Sequence, residues 1–151
     1  MPNLAIGIVY FQCYQAVEGK KKMVKYNDQE EFWKGSFGDE YILRNKSDAL
    51  LKANYAFFEN VFKKTGKIKS LLEFGANIGM NLIPIHKIDD KIVIDALEIN
   101  STAFQKLSEC KFLREIWNQS ISSFVTNKTY DLTLTKTVLI HLNENDLQVA
   151  Y

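Results

Sequence analysis

The 151-residue sequence predicts an α/β fold in which helices flank a doubly wound, mostly parallel sheet. Four apolar segments typical of strands, at 68–74, 91–99, 112–117 and 130–138, alternate with segments typical of helices. Strands that alternate with helices pair in parallel through right-handed crossovers. A turn punctuated by glycines directly follows the first of these strands, as it does in nucleotide-binding folds of this class.

The composition favours a single domain with a small-molecule partner. With 46% hydrophobic and 25% charged residues, the chain is long enough for one core and too short for two. A formal net charge of +1 favours neither a nucleic acid nor a membrane as partner. The two cysteines, Cys13 and Cys110, have no metal-site spacing, so no metal site and no disulfide framework are predicted. A cytoplasmic location is the natural expectation.

The leading segment is predicted to lie outside the core. Its apolar stretch, 4–17, is too short to span a membrane, and the three lysines at 20–22 follow it rather than precede it, unlike a signal peptide. Met23 then opens a polar and aromatic stretch typical of the start of a domain. We therefore expect residues 1–22 to be an extension and residues 23–151 to form the functional domain.

The first predicted helices precede the glycine-punctuated turn. Residues 29–44 are dense in aromatic side chains and contain two glycines, which predicts a structured loop or short helices. Ser47 and Asp48 form an N-cap for a helix whose apolar residues recur every three or four positions. Two lysines at 63–64 suit the negative end of that helix, and Gly66 ends it.

The later helices are predicted from their caps. Residues 80–88 should be helical, although Pro84 must kink this helix or shift its start. Asn100 or Ser101 caps a helix that runs through Cys110, and Asn143 caps a last helix near the end of the chain.

The turn after the first strand has the spacing of a cofactor loop. It reads as an acid, Glu73, one residue, Gly75, three residues and Gly79, and the glycines would let the backbone approach a ligand. A nicotinamide oxidoreductase is disfavoured because its G-x-G-x-x-G fingerprint needs a glycine where Asn77 stands. The pattern resembles the first motif of class I S-adenosylmethionine (SAM) methyltransferases, E/D-x-G-x-G-x-G. Asn tolerates positive φ, so the replacement leaves the turn possible.

Polar side chains at the ends of the next two strands suit a nucleoside. Glu98 ends the second strand 23 residues after Gly75, near the interval at which nucleotide folds place a carboxylate against ribose hydroxyls. The alternative is a solvated acid at a strand end. Asn100 would assist Glu98. After the third strand, residues 118–121 offer polar groups for the adenine edge and an apolar side chain, Ile121, for its ring, but surface-loop polarity explains this run equally well.

Two further site candidates follow the fourth strand. Lys136 would meet the methionine carboxylate or a substrate phosphate, or else be solvated. His141 is either a general base or a structural hydrogen-bond donor beside a helix cap. Neither alternative is decided by the sequence, and both residues remain catalytic candidates.

Together these segments resemble the methyltransferases associated with pseudaminic acid biosynthesis. The similarity covers residues 32–142 and includes Asn77, which is usual in that family. It rests on the motifs at 32–41, 44–45, 72–81, 97–100, 134–136 and 138–141. Two features depart from the family: Gln119-Ser120 and Ser123 stand where a Gly-Ser step and an acid are usual, and relatives continue through further strands.

The resemblance implies a Rossmann-like class I methyltransferase that holds SAM and methylates a small acceptor, such as a nonulosonic sugar or its nucleotide-activated form. Four strands of the sheet are then present, and the far edge of the fourth should be open. An inactive or merely SAM-binding remnant is the alternative, and no oligomeric state is predicted. The expected cofactor-binding residues are Tyr41, Arg44, Glu73, Gly75, Ala76, Asn77, Gly79, Met80, Asn81, Glu98, Ile99, Asn100, Ser120, Ile121 and Lys136.

Overall fold

The structure, a computed structural model, describes residues 6–9 and 26–150. Within these residues one five-stranded sheet has the order β1-β5-β2-β3-β4. Strands β2, β3, β4 and β5 pair in parallel, which confirms the predicted doubly wound α/β fold. The strands are β1 (Ile6–Val9), β2 (Ser70–Phe74), β3 (Val93–Leu97), β4 (Leu113–Trp117) and β5 (Leu132–Lys136).

The strand β1 corrects the expectation of an open edge. It pairs antiparallel with β5, with Ile6 opposite Lys136 and Val9 opposite Thr133, so the far edge of β5 is covered over these four residues. An edge strand of this kind needs only backbone N–H and C=O groups, which any sequence carries. The proposed boundary between residues 22 and 23 stays a prediction, because it lies outside the described residues, as does Cys13.

Three of the predicted N-caps are present at the starts of their helices. Ser47 Oγ accepts a hydrogen bond from Leu50 N at 3.1 Å, and Asn100 Oδ1 accepts one from Ala103 N at 2.8 Å. Asn143 Oδ1 accepts from Asp146 N in the same way, at 2.9 Å. The helices are α1 (Asp28–Lys34), α2 (Ser36–Arg44), α3 (Asp48–Thr65), α4 (Leu82–Ile88), α5 (Ser101–Leu107) and α6 (Glu144–Ala150).

Pro84 shifts the start of α4 rather than kinking it. The helix begins at Leu82, so Pro84 falls in the first turn, where a missing backbone N–H costs nothing because no intrahelical acceptor exists for it. None of the helices among the described residues is both long and apolar enough to cross a membrane.

The larger core lies on one side of the sheet. Side chains of β2 and β3 there pack against α3, α4 and α5 through Phe58, Leu71, Leu82, Ile94 and Leu107, each at most 1% exposed. Full burial of one such side chain is worth about 1.5–3 kcal/mol. This packing fixes the carboxyl ends of the strands relative to the helices that follow them.

The other side of the sheet combines a small apolar cluster with a buried carboxylate. Asp95 of β3 is fully buried and accepts hydrogen bonds from Arg114 Nε at 3.0 Å and from Tyr130 Oη at 2.6 Å. Burial raises the pKa of Asp95, but Arg114 and Tyr130 outweigh burial and hold the pKa below its ordinary value. Asp95 is therefore ionised and fully bound by its neighbours.

Candidate functional site

A crevice lies over the carboxyl ends of β2, β3, β4 and β5, where α/β folds bind their ligands. Its walls are the loop after β2, the residues that follow the other three strands, and the helices α1 and α2. Ten of the site residues predicted from the sequence line it: Tyr41, Gly75, Asn77, Glu98, Ile99, Asn100, Ser120, Ile121, Lys136 and His141.

The other predicted residues lie outside the wall of the crevice. Ala76 and Gly79 belong to the loop itself, and Arg44 sits at the end of α2 with its guanidinium 5.1 Å from the ring of Phe37. Their predicted role in binding a cofactor stays a prediction. They are Arg44, Glu73, Ala76, Gly79, Met80 and Asn81.

The loop after β2 has the conformation that its sequence indicates. Gly75, Asn77 and Gly79 all have positive φ, at 68°, 51° and 83°, so Asn77 occupies the left-handed region that Asn tolerates. The N–H groups of Gly75 and Ala76 both donate to the carbonyl oxygen of Leu97, at 2.8 and 3.0 Å. These two donors therefore tie the loop to the end of β3 and are not free for a ligand.

The two glycines make room for the protein's own side chains, and Gly75 also lines the crevice. A Cβ atom on Gly75 would lie 2.4 Å from Val138 Cγ2. A Cβ atom on Gly79 would lie 3.3 Å from Leu107 Cδ1 and 3.4 Å from Cys110 Sγ. Close packing between the loop, α5 and the residues after β5 is the physical reason for glycine at both positions.

Glu98 holds the loop against the start of α5. Its Oε2 accepts from Asn77 N at 2.6 Å and its Oε1 from Asn100 N at 2.8 Å, and the side chain is 6% exposed. Burial raises the pKa of Glu98, against the lowering by these backbone donors. Each carboxylate oxygen retains a second acceptor site, and the residue lines the crevice.

Behind the loop lies a buried cluster around Glu73. Glu73 is fully buried, and its Oε1 accepts from Asn81 Nδ2 at 2.6 Å. Its Oε2 has no hydrogen-bond partner among the described residues. Burial raises the pKa of Glu73 to about 8, although Asn81 and the nearby Lys136 lower it. A half-satisfied buried carboxyl of this kind is unusual, since most buried polar groups have a hydrogen-bond partner.

Lys136 joins that cluster instead of extending into solvent. Its Nζ donates to Asn54 Oδ1 at 2.8 Å and to Asn81 Oδ1 at 3.2 Å. Burial lowers its pKa, while Glu73 raises it. Lys136 is therefore half-buried and bound by two asparagine side chains, and it also forms part of the crevice wall.

The polar run after β4 is largely bound to the protein. Asn118 Nδ2 donates to the carbonyl oxygens of Glu98 and Ile99, at 2.8 and 3.0 Å. Gln119 Nε2 donates to the carbonyl oxygen of Ser123 at 2.7 Å. These amides stabilise the turn that contains the 3-10 helix Ile121–Ser123, while Ser120 and Ile121 face the crevice.

Glu30 of α1 is a crevice residue that the sequence analysis missed. It is 8% exposed, and its Oε1 accepts hydrogen bonds from the hydroxyls of Ser120 and, at 2.6 Å, of Ser122. Its Oε2 accepts from Asn27 N at 2.8 Å, which completes a capping box. The spacing of Asn27 and Glu30 would have predicted the start of α1. Nothing local in the sequence predicts its contact with residues far along the chain.

A second, aromatic cleft adjoins the crevice. It is lined by Phe32, Trp33, Phe37, Tyr41 and His141, of which Trp33, Tyr41 and His141 also line the crevice. The ring of His141 lies 4.6 Å from that of Trp33, and burial lowers the pKa of His141. His141 is therefore neutral at pH 7 and is held between the two cavities.

Thr137 is a second residue that the sequence analysis missed. It lines the crevice between Lys136 and Val138, and its φ of 64° is a rare value for a β-branched residue. Strain of this kind is found where the surrounding structure imposes it, often at functional sites.

Several solved structures that are similar to this chain in fold are methyltransferases. The plantazolicin methyltransferase BpumL, in complex with S-adenosylhomocysteine (SAH), matches with a TM-score of 0.63 at 16% identity, over 80% of this chain and 49% of that one. The chain has a methyltransferase fold. At this identity the similarity shows the fold and not the activity.

Two other matches are sugar-modifying enzymes. The SAM-bound amino pentose methyltransferase of calicheamicin biosynthesis, from Micromonospora echinaspora, matches with a TM-score of 0.59 at 13% identity, over 87% of this chain and 51% of that one. A sugar N-methyltransferase from Streptoalloteichus matches with a TM-score of 0.59 at 13% identity, over 91% and 52%. The chain thus spans about half the length of these structures. No family model and no curated protein matches it.

Proposed function

We propose that the chain is a SAM-dependent methyltransferase that acts on a small molecule. The observation that carries this proposal is the position of Glu98, a buried carboxylate in the crevice wall, braced by the positive-φ loop at Asn77. The acid and the turn that a nucleoside site requires thus lie together within a methyltransferase fold. The similarity of the sequence to the family associated with pseudaminic acid biosynthesis supports the same conclusion.

The residues of the crevice fit the three parts of SAM. The free acceptor sites of Glu98 suit ribose hydroxyls, and Ser120 and Ile121 lie where the base would follow. At the other end, Lys136 lines the crevice next to the buried Glu73 cluster, where its ammonium suits the carboxylate of the methionine group. When bound, SAM supplies an electrophilic methyl group on a sulfonium centre.

The aromatic cleft is the proposed place of the methyl acceptor. It shares Trp33, Tyr41 and His141 with the crevice, so an acceptor seated there would lie next to the cofactor. Methyl transfer depends mainly on aligning the nucleophile and excluding water, and the rings of this cleft suit both tasks. We propose a sugar acceptor, a nonulosonic sugar or its nucleotide-activated form, on the resemblance and the two sugar methyltransferases among the structural matches.

His141 is the better of the two catalytic candidates. Its imidazole is neutral at pH 7 and lies between the crevice and the cleft, so it can accept a proton from an acceptor hydroxyl or amine. Lys136 is bound to two asparagine side chains and serves the cofactor end of the site instead.

Calorimetric titration of the full chain with SAM, SAH and NAD tests the proposal. We expect SAM and SAH to bind and NAD not to bind. Glu98→Gln should weaken SAM binding at least about tenfold, because the amide loses charge and one acceptor site towards the ribose. Glu109→Gln, which changes an exposed acid after α5, is the matched control and should bind as the wild type does. Binding of NAD, or of none of the three, would contradict the proposal.

A further inference from the structure

We propose that Glu30 recognises the adenine base of the cofactor by accepting a hydrogen bond from its exocyclic amine. The inference rests on the proposed function and extends it to a residue of α1 that no motif identifies. Three features of the structure support it: the place of Glu30 in the crevice, its unused hydrogen-bonding capacity, and the bound state of the polar groups around it.

The order of the strands identifies the base end of the crevice. The carboxylate that suits ribose, Glu98, ends β3, and β4 lies beyond β3 on the side away from β2. The methionine end, by contrast, lies at β2 and β5 beside Lys136. A nucleoside whose ribose meets Glu98 therefore extends its base towards the residues after β4, where Glu30 faces Ser120.

The carboxylate of Glu30 has one acceptor site left. An ionised carboxylate offers about four sites. Ser120 and Ser122 use two of them on Oε1, and Asn27 N uses one on Oε2. Burial raises the pKa of Glu30, but these hydrogen bonds outweigh burial and keep the pKa below its ordinary value. The group thus accepts and does not donate, which complements an amine.

The neighbouring polar side chains have fewer hydrogen-bonding groups left for a ligand. The amides of Asn118 and Gln119 already donate to backbone carbonyl oxygens, and Asn118 Oδ1 accepts from Ser101 Oγ at 3.0 Å. The hydroxyls of Ser120 and Ser122 donate to Glu30. Glu30 is consequently the strongest acceptor at this end of the crevice, because it carries a full charge.

Recognition of the base would also hold α1 in place as part of the crevice wall. Glu30 lies in the first turn of α1, and α1 forms part of the crevice wall together with α2. A hydrogen bond from the base to Glu30 would therefore hold α1 over the cofactor as well as select the base.

The test compares the affinity of the full chain for two ligands by calorimetry: SAH, and the 6-deamino analogue of SAH in which hydrogen replaces the exocyclic amine. For the wild type we expect SAH to bind at least about tenfold more tightly. For Glu30→Gln we expect the ratio to fall to about threefold or less, because the uncharged amide is a weaker acceptor. Glu31→Gln changes the exposed neighbour on α1 and should keep the wild-type ratio.

The outcomes separate this inference from the proposed function. If the wild type binds both ligands equally, the role of Glu30 is refuted while the cofactor assignment stands. If the wild type binds neither ligand, the proposed function fails and this inference fails with it. Should Glu30→Gln not fold, as judged by circular dichroism, Glu30→Asp provides the second variant. That variant keeps the charge but withdraws it by one methylene, and an unchanged ratio in it would also count against the inference.

Discussion

Gly75 shows how one residue links the loop after β2 to the residues that follow the neighbouring strand β5. Its φ of 68° already disfavours any residue with a Cβ atom, by roughly 1–2 kcal/mol. The contact of 2.4 Å that a Cβ would make with Val138 Cγ2 adds a steric term, because real Cβ atoms do not approach so closely. The glycine thus serves the packing of the loop on the segment after β5.

A double-mutant cycle separates the two terms at Gly75. We expect Gly75→Ala alone to lower the free energy of unfolding by about 3 kcal/mol, from strain and steric conflict together. The steric conflict is absent in the double variant that combines Gly75→Ala with Val138→Ala. Its loss of unfolding free energy should therefore be smaller than the sum of the two single losses by about 1–2 kcal/mol. Urea unfolding monitored by circular dichroism measures all four proteins. If the effects of the two substitutions were simply additive, the space between Gly75 and Val138 would not be what disfavours a side chain at position 75.

The residues that the sequence could predict are those with a local signature. Asn77 at positive φ and the caps at Ser47 and Asn100 follow from residue type and spacing, and all are confirmed. The contacts of Glu30 are set by packing between distant parts of the chain, so no spacing rule applies to them. The positive φ of Thr137 runs against the residue's preference, and so the sequence argues against it.

At the scale of elements, Asn100 connects three helices. It caps α5 through its Oδ1, while its Nδ2 donates to the carbonyl oxygens of Trp33 and Lys34, each at 3.2 Å, and to Asp39 Oδ1 at 3.1 Å. The elbow between α1 and α2 is tied to the start of α5 by a single buried side chain. Helices that are not adjacent in the chain are thereby held in one arrangement around the crevice.

Two substitutions at Asn100 should separate these roles. Asn100→Ser keeps an N-cap but loses the donors towards α1 and α2, so amide hydrogen exchange should accelerate in residues 28–44 and not in α5. Asn100→Ala loses both functions and should be less stable than Asn100→Ser by about 1 kcal/mol. Hydrogen exchange and thermal unfolding measure these effects. Equal protection of residues 28–44 in the wild type and Asn100→Ser would contradict this account.

The positions of the strands and helices could be predicted from the sequence better than the pairing between them. All four parallel strands lie within the predicted segments. The central strands β2 and β3 are largely apolar, because four of the five residues in each are buried. The bounds are narrower, as in β5 (Leu132–Lys136) against the predicted 130–138, because strand ends lose their pairing first. The strand β1 was missed because its pairing with β5 is decided by backbone groups more than 120 residues away.

At the scale of the whole molecule, buried acids of two kinds shape the dependence of stability on pH. The pKa values of Glu30 and Asp95 lie below their ordinary values, so their stabilisation is present above the ordinary acid range and is lost as pH falls. Burial raises the pKa of Glu73 to about 8 and also raises that of Glu98. Their effect has the opposite sign, because the stability that each contributes is lost as pH rises through its raised pKa.

We expect the free energy of unfolding to be highest near pH 5 and to fall by about 2 kcal/mol or more towards pH 8. Over that range the folded state keeps a proton on Glu73 that the unfolded chain has released. Glu73→Gln should flatten the decline, since an amide does not titrate. Denaturant unfolding at a series of pH values measures both proteins.

The matched control for this prediction is Glu40→Gln, which changes an exposed acid on α2. It should leave the pH dependence as in the wild type. His141 acts in the opposite direction because burial lowers its pKa, so the difference between the wild type and Glu73→Gln isolates Glu73. A slope that Glu73→Gln leaves unchanged would show that Glu73 is ionised in the folded chain.

The placement of the two tryptophans gives the molecule a built-in optical probe. Trp33 borders both cavities, whereas Trp117 lines neither and packs against Phe124 in the small apolar cluster of the sheet. Indole emission depends on the polarity of its surroundings, so a ligand that displaces water beside Trp33 changes its colour and intensity. A chain with Trp117→Phe would carry a single tryptophan beside the crevice, and selective excitation of that indole could follow occupancy there without labelling.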